Sequence, residues 1–127
     1  MRNQPSKDRL ARIPRLYATA EHTPLQDKLI HLHLFVAGCD FYIAEYDGQD
    51  ILWGFTILNN DYQCAEWGYV SLEELKSIKV AGFMEIDCEL EQHWRIRPAI
   101  EVDKIRKAHD WQYQPAAVST RMETETL

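Results

Sequence analysis

Four short segments of alternating apolar and polar residues follow one another between residues 29 and 70, and they restrict the chain to a sheet of adjacent strands. The alternation predicts strands at residues 29–36, 41–46, 51–58 and 62–70. Asp47-Gly48-Gln49-Asp50 and Asn59-Asn60-Asp61 separate later strands, and an Asp-Gly pair tolerates the positive φ of hairpin turns. Connections this short join antiparallel strands, so the sequence predicts a meander.

Alternation within each predicted strand assigns side chains to two faces. In the first strand, Leu32, Leu34 and Val36 oppose His31, His33 and Phe35. In the second, Phe41 and Ile43 oppose Tyr42, Ala44 and Tyr46. One face of the third strand carries Ile51, Trp53, Phe55 and Ile57. One face of the fourth carries Ala65, Trp67 and Tyr69. Most of these aromatic residues are expected in the core, and any left on an open face would suit a protein interface.

Three further segments have helical signals. Ser6 can cap a helix over residues 6–13 that Pro14 ends. Ser71 and Glu74 match a capping box, which predicts a helix that reaches about residue 80. A further helix is predicted over residues 98–108. The expected fold class is therefore α+β, an antiparallel meander of about four to five strands with two to three helices packed on one face. Residues 1–109 are expected to form one domain, and residues 110–127 a polar, disordered tail.

Carboxylates occupy every second position in residues 85–91. As a strand, this segment would present Glu85, Asp87, Glu89 and Glu91 on one face, with Ile86, Cys88 and Leu90 on the other. A helix is the alternative, because Phe83, Ile86, Leu90 and Trp94 also share a helical face. The sequence favours the strand.

Charge is unevenly distributed, and this distribution suggests a mode of action. Residues 29–91 carry 12 acidic and 2 basic side chains, whereas both ends are weakly basic and the chain has a net charge of −6. Such a chain is a poor general ligand for nucleic acid, whose phosphates must be met by Lys or Arg. A row of regularly spaced carboxylates could instead bind a protein that has a basic surface. A decoy for DNA or RNA occupies the basic groove of a nucleic-acid-binding protein in this way. The expected protein-binding residues are Glu45, Asp47, Asp50, Glu66, Glu85, Asp87, Glu89 and Glu91.

The expected location is the cytoplasm. No apolar run approaches the roughly 20 residues of a membrane helix, and the N-terminal residues lack the apolar core of a signal peptide. Cys39, Cys64 and Cys88 are odd in number and widely spaced, which predicts buried thiols in a reducing compartment rather than a zinc or redox motif.

Several stretches resemble the bacterial family known as domain of unknown function 2958. They are residues 13–19, 45–54 (Glu-Tyr-Asp-Gly-Gln-Asp-Ile-Leu-Trp-Gly) and 66–75 (Glu-Trp-Gly-Tyr-Val-Ser-Leu-Glu-Glu-Leu), with a looser match at 82–89. The resemblance covers roughly residues 10–103. The family has no established activity, so the resemblance assigns neither a reaction nor a catalytic residue to this chain. It does imply carriage on mobile genetic elements, and hence a host defence protein that binds nucleic acid as a possible target of inhibition.

A small metal-dependent enzyme is the alternative function. His31 and His33 are two residues apart on a predicted strand, so both rings would point to one side and could bind a divalent metal with a nearby carboxylate. A third ligand would have to come from residues such as Cys39, His93 or Glu45. An isolated His-x-His is common without a metal, so no cofactor is expected. A subunit or dimer with no chemistry is a third possibility.

Overall fold

The computed structural model describes residues 1–113. In chain order the elements are α1 (Lys7–Ala11), β1 (Leu29–Ile30), β2 (Leu32–Val36), β3 (Cys39–Tyr46), β4 (Ile51–Ile57), β5 (Glu66–Ser71), α2 (Leu72–Ser77), β6 (Lys79–Val80), β7 (Met84–Glu85), β8 (Asp87–Cys88), β9 (Arg97–Pro98) and α3 (Asp103–His109). Short 3-10 turns cover Leu25–Asp27, Glu91–His93 and Ala99–Glu101. None of the helices in this part of the chain is long and apolar enough to cross a membrane.

A five-stranded antiparallel sheet forms the centre of the fold, in the order β5-β4-β3-β2-β8. Strands β2 to β5 are adjacent in sequence and in space, so the predicted α+β class and its meander are confirmed. Ladders β1–β9 and β6–β7 lie outside this sheet.

Helices pack on both faces of the sheet, whereas the sequence predicted one covered face. Leu72 and Leu75 of α2 join Ile43 and Leu52 in one buried cluster. On the opposite face, Ile105 of α3 packs in a second cluster. That cluster also contains Ile30, Tyr42, Ala44, Phe55, Ile57, Ala99 and Val102. The reason is that β3 is apolar on both faces, and each face must be covered to remove it from water.

A β-bulge in β3 changes the predicted alternation. Pairing with β4 shifts between Ile43, which opposes Gly54, and Glu45, which opposes Trp53. The extra residue moves Tyr46 into the cluster of Phe41 and Ile43, so its predicted place beside Tyr42 and Ala44 is wrong. The same shift directs Glu45 to the face of Trp53.

Other boundaries differ for local reasons. Strand β5 begins at Glu66 rather than residue 62, because the Asp61 carboxylate accepts hydrogen bonds from the amides of Gln63 and Cys64 and forms a turn. The helix predicted at 98–108 begins only at Asp103. The Ala99 amide donates to the Lys28 carbonyl at 2.8 Å, which ties this segment to β1 instead.

Residues 85–91 are extended at first, as predicted, and the helical alternative is wrong. Ile86 and Cys88 are buried, and Cys88 opposes Leu34 of β2. The alternation ends early, since Glu91 begins a 3-10 turn and Leu90 is 37% exposed. Past the predicted domain boundary at 109, Trp111 still packs against the second cluster. Most of the predicted tail, residues 114–127, lies outside the described residues.

Candidate functional site

The N-terminal segment lies along the acidic row of Glu85, Asp87, Glu89 and Glu91, here called the acidic strip. The N-terminal ammonium contacts the Glu85 carboxylate at 2.8 Å, and the side-chain amide of Asn3 donates to the Asp87 carboxylate at 2.9 Å. Arg12 pairs with Glu91 at 2.8 Å. Hydrogen bonding from the ammonium lowers the pKa of Glu85, and hydrogen bonding from Arg12 lowers that of Glu91. The carboxylates of Glu85, Asp87 and Glu91 therefore contact the N-terminal segment of the same chain.

Backbone contacts extend this attachment. The Arg2 amide donates to the Ile86 carbonyl at 2.8 Å, and the Cys88 amide donates to the Arg2 carbonyl at 3.1 Å. Arg2 thus forms a parallel bridge beside Asp87. Arg9, 8% exposed, donates to the Glu89 carbonyl at 2.8 Å. The segment covers an edge strand that would otherwise expose unpaired backbone groups.

A prediction separates the buried from the exposed part of this attachment. Arg9→Met is expected to destabilise the fold by about 2 kcal/mol, because the Glu89 carbonyl loses a bond from a charged donor. Arg12→Gln is the matched control, since both side chains of its ion pair are more than half exposed and water screens the pair. Urea unfolding should shift the midpoint for Arg9→Met only. Equal shifts would contradict this description.

The remaining predicted acidic residues have other contacts. The Asp47 carboxylate accepts the amides of Gln49, Asp50 and Ile51, which fixes the β3–β4 turn and lowers the pKa of Asp47. Asp50 accepts from the Ser71 hydroxyl at 2.6 Å and the Glu73 amide at 2.8 Å, so it joins this turn to α2. Glu45 is buried. Among residues 1–113, Glu66 is the one member of the predicted set that makes no side-chain hydrogen bond or ion pair.

The two histidines of the alternative function lie in different cavities. His33 stacks on Tyr42 with ring centroids 4.4 Å apart, in an open groove. Its ring nitrogens lie 2.7 Å from Asp40 and 2.7 Å from Glu89. Both ring nitrogens are therefore occupied by contacts to carboxyl groups within the chain. Within residues 1–113, no group of three or more His, Cys, Asp and Glu side chains is arranged to hold a metal ion.

Asp40 is the buried centre of the His33 cluster. Its other oxygen accepts from Lys104 at 2.8 Å. Burial by itself raises the pKa of Asp40, but the hydrogen bonds from His33 and Lys104 outweigh burial and hold this pKa below its ordinary value. The cluster is thus satisfied internally and joins β2, β3 and α3.

His31 borders a small cavity of about 40 Å³ with Arg9, Arg12, Glu91, Trp94 and Ile96. Its Nε2 is buried and has no hydrogen-bond partner among the described residues. Burial lowers the pKa of His31, since the charged ring is poorly solvated there. The ring is therefore a neutral part of the fold.

This position predicts a pH effect. The pKa of His31 in the folded protein lies below its unfolded value of about 6.5. Below about pH 6.5 the unfolded chain therefore binds more protons than the folded protein. The free energy of unfolding falls as the pH drops from about 6.5 towards the folded pKa. His31→Phe should remove this component, so that stability falls less than in the wild type as the pH drops below about 6.5. Urea midpoints measured at about pH 6.5 and at lower pH test it, with His22→Gln, at an exposed position, as the control. An unchanged slope would contradict it.

A cleft of about 360 Å³ lies between residues 17–28 and strands β3, β4 and β5. We call it the Lys28 cleft; it is lined by Tyr17, Ala20, Thr23, Pro24, Leu25, Lys28, Glu45, Trp53 and Tyr69. Tyr17 and Tyr69 are 69% and 54% exposed, and Leu25 is 41% exposed. The rim is therefore largely apolar and accessible, as in many binding sites.

Two charged side chains are buried at the base of this cleft, Lys28 at 6% exposure and Glu45 at 4%. Thr19 joins them. Its hydroxyl donates to Glu45 Oε2 at 2.6 Å and accepts from Lys28 Nζ at 2.8 Å. Lys28 Nζ also donates to the Thr19 carbonyl at 2.8 Å and stands 5.5 Å from the centre of the Trp53 ring. Buried charges at a cavity wall are uncommon unless they are paired or functional.

Tyr17 adopts a strained backbone at this site. Its φ is +69°, which a bulky side chain rarely takes. The Tyr17 amide donates to Glu45 Oε1 at 2.9 Å, so the buried carboxylate holds the strained residue in place. The bulge in β3 thus positions Glu45, and Glu45 positions Tyr17 at the rim.

Sequence patterns indicated little of this site. The sequence predicts Glu45 as a protein-binding residue or a third metal ligand, and it gives no signal of a role for Thr19, Lys28 or Tyr17. The one available signal was a carboxylate inside an apolar strand, Ala44-Glu45-Tyr46, where period-two alternation fails.

The cysteines do not form a site. Cys88 is buried as predicted, whereas Cys39 is partly buried and Cys64 is exposed. Burial raises the pKa of Cys88 to about 11, and a hydrogen bond to Asp61 raises that of Cys64. Neither of these two thiols has the lowered pKa of a reactive nucleophile.

No protein-family model matches the chain, and no curated protein or solved structure matches it either. The resemblance to domain of unknown function 2958 stays a prediction.

Proposed function

We propose that the protein is a non-enzymatic module that binds another protein, and that the Lys28 cleft is its contact site. The observation that carries the proposal is a pair of buried charges beneath an exposed aromatic rim. Exposed tyrosines beside a partly buried tryptophan are typical of residues that dominate binding energy at interfaces. A net charge of −6 would speed association with a partner that has a basic surface.

This proposal keeps the predicted mode of action and moves its location. Each carboxylate of the acidic strip has a partner within the chain, which leaves less unpaired charge for a nucleic-acid-binding surface. A second groove beside β5, about 440 Å³, includes Thr56, Leu58, Cys64, Glu66 and Tyr69 in its lining, and no buried charge lines it. The Lys28 cleft is therefore the better supported contact.

Pull-down with tagged full-length protein from a bacterial lysate tests the proposal. Tyr17→Ser and Tyr69→Ser should each reduce recovery of a specific partner by about tenfold, since interface aromatics contribute roughly 1–3 kcal/mol. Phe83→Ser is the matched control, because Phe83 is 73% exposed and outside the cleft. Glu91→Gln controls for the acidic strip. Equal recovery by wild type and Tyr17→Ser, or loss only with Tyr69→Ser or Glu91→Gln, would refute the proposal, because Tyr69 also lines the groove beside β5.

A further inference from the structure

We infer that the Lys28 cleft recognises a carboxamide group. This inference rests on the proposed role of the cleft and adds the chemistry of what enters it. Its basis is the hydrogen-bonding capacity of Lys28 and Glu45 that contacts within the chain do not use.

Among residues 1–113, one N–H of the Lys28 ammonium has no hydrogen-bond partner. An ammonium group has three donors, and within residues 1–113 Nζ uses two of them, both on Thr19. Each oxygen of an ionised carboxylate accepts about two hydrogen bonds. Glu45 Oε1 receives one, from Tyr17, and Oε2 receives one, from Thr19. In the described part of the chain, the base of the cleft therefore has one unused donor on Lys28 and unused acceptor positions on Glu45, two residues that the Thr19 hydroxyl joins.

The charges select among ligands. A carboxylate could accept from Lys28 but would lie near the Glu45 carboxylate, and an ammonium could donate to Glu45 but would lie near Lys28. Both combinations are costly where the side chains are more than nine-tenths buried. A primary carboxamide is neutral, and it carries an acceptor C=O and two donor N–H bonds on one planar group. It can satisfy both residues without an unpaired charge.

The walls suit such a group. Trp53, Tyr69 and Leu25 line the cleft with flat or apolar surface, against which an amide plane and its hydrocarbon stem can pack. Because the cleft is the proposed contact with another protein, the carboxamide is assigned to an Asn or Gln side chain of that partner. A small free amide shares this chemistry and is the alternative that the test distinguishes.

Matched probes test the inference in the full chain. The carboxamide probes are N-acetylglutamine methylamide and benzamide, and the matched carboxylates are N-acetylglutamate methylamide and benzoate. Binding is followed by the change in NMR chemical shift of the Trp53 indole N–H, a signal that is assigned with the variant Trp53→Phe. The carboxamides should give saturable shifts at millimolar concentration, and the carboxylates should bind about tenfold or more weakly. Lys28→Met and Glu45→Gln should each weaken carboxamide binding about tenfold. Where either variant fails to fold, Tyr69→Ser, a substitution of an exposed residue, takes its place with the same expected loss.

Binding of the glutamine probe supports an Asn or Gln side chain, and binding of only benzamide would overturn that assignment in favour of a small amide. Carboxylates that bind as tightly as carboxamides, or carboxamide binding unchanged in the variants, would overturn the inference. If no carboxamide binds while Tyr17→Ser and Tyr69→Ser still lose the partner, this inference fails and the proposed function stands.

Discussion

Gly54→Ala is expected to destabilise the protein by about 3 kcal/mol, although it adds only one methyl group. A Cβ at position 54 would lie 2.0 Å from the Tyr42 carbonyl oxygen and 2.9 Å from the Ile43 Cα. These are backbone atoms of the neighbouring strand, so they cannot move aside without disturbing the β3–β4 ladder. Close approach at this point accompanies the bulge that begins after Ile43.

Gly68→Ala is the control for this prediction. Gly68 lies on β5 opposite Gly54, and nothing stands within 4 Å of its added Cβ. This change should be neutral or stabilise by roughly 0.5 kcal/mol, because alanine loses less backbone entropy on folding. Urea unfolding followed by circular dichroism measures both. Similar midpoints for the two variants would mean that the bulge does not require glycine at position 54.

Glu45→Gln is expected to destabilise by about 2 kcal/mol, which is large for a change that preserves shape. The amide nitrogen of glutamine cannot accept the Tyr17 N–H or Thr19 O–H, so one of these bonds is lost. Lys28 also loses the nearest negative charge in its cavity and remains buried. The strained φ of Tyr17 should relax at the same time.

Exposed Glu66→Gln is the matched control and should change stability by less than about 0.5 kcal/mol. Equilibrium urea unfolding gives the free energies, and the Tyr17 amide shift reports the relaxation. A double variant with Lys28→Met would show the coupling, because the two residues share Thr19 and their effects should not add. Equal stability of the Glu45 and Glu66 variants would show that the buried network contributes little.

The meander could be predicted because its signals are local. Alternation and the Asp47-Gly48 turn specify adjacent antiparallel strands without any long-range information. At α2, the Ser71 hydroxyl accepts the Glu74 amide at 3.2 Å as the capping box predicts, and Asp50, distant in sequence, binds the same hydroxyl. The first contact was readable from spacing, and the second was not.

Features that depend on a distant partner could not be predicted. The acidic strip looked exposed because Asn3 and Arg12, which meet it, are more than 75 residues away in the chain. Tyr46 changed face because a bulge adds one residue to a period-two pattern, and only the carboxylate of Glu45 within an apolar strand marks its place in the sequence. The Lys28 cleft combines both problems, since Lys28 and Glu45 meet only through Thr19 and only after the bulge has turned Glu45.

Recognition at the Lys28 cleft, and not at the acidic strip, can be tested by amide hydrogen exchange of the protein alone and with the partner that the wild type recovers. We expect slower exchange in residues 17–28 and 66–71 of the complex, with residues 84–91 unchanged. Protection confined to residues 84–91, with none in residues 17–28, would contradict it.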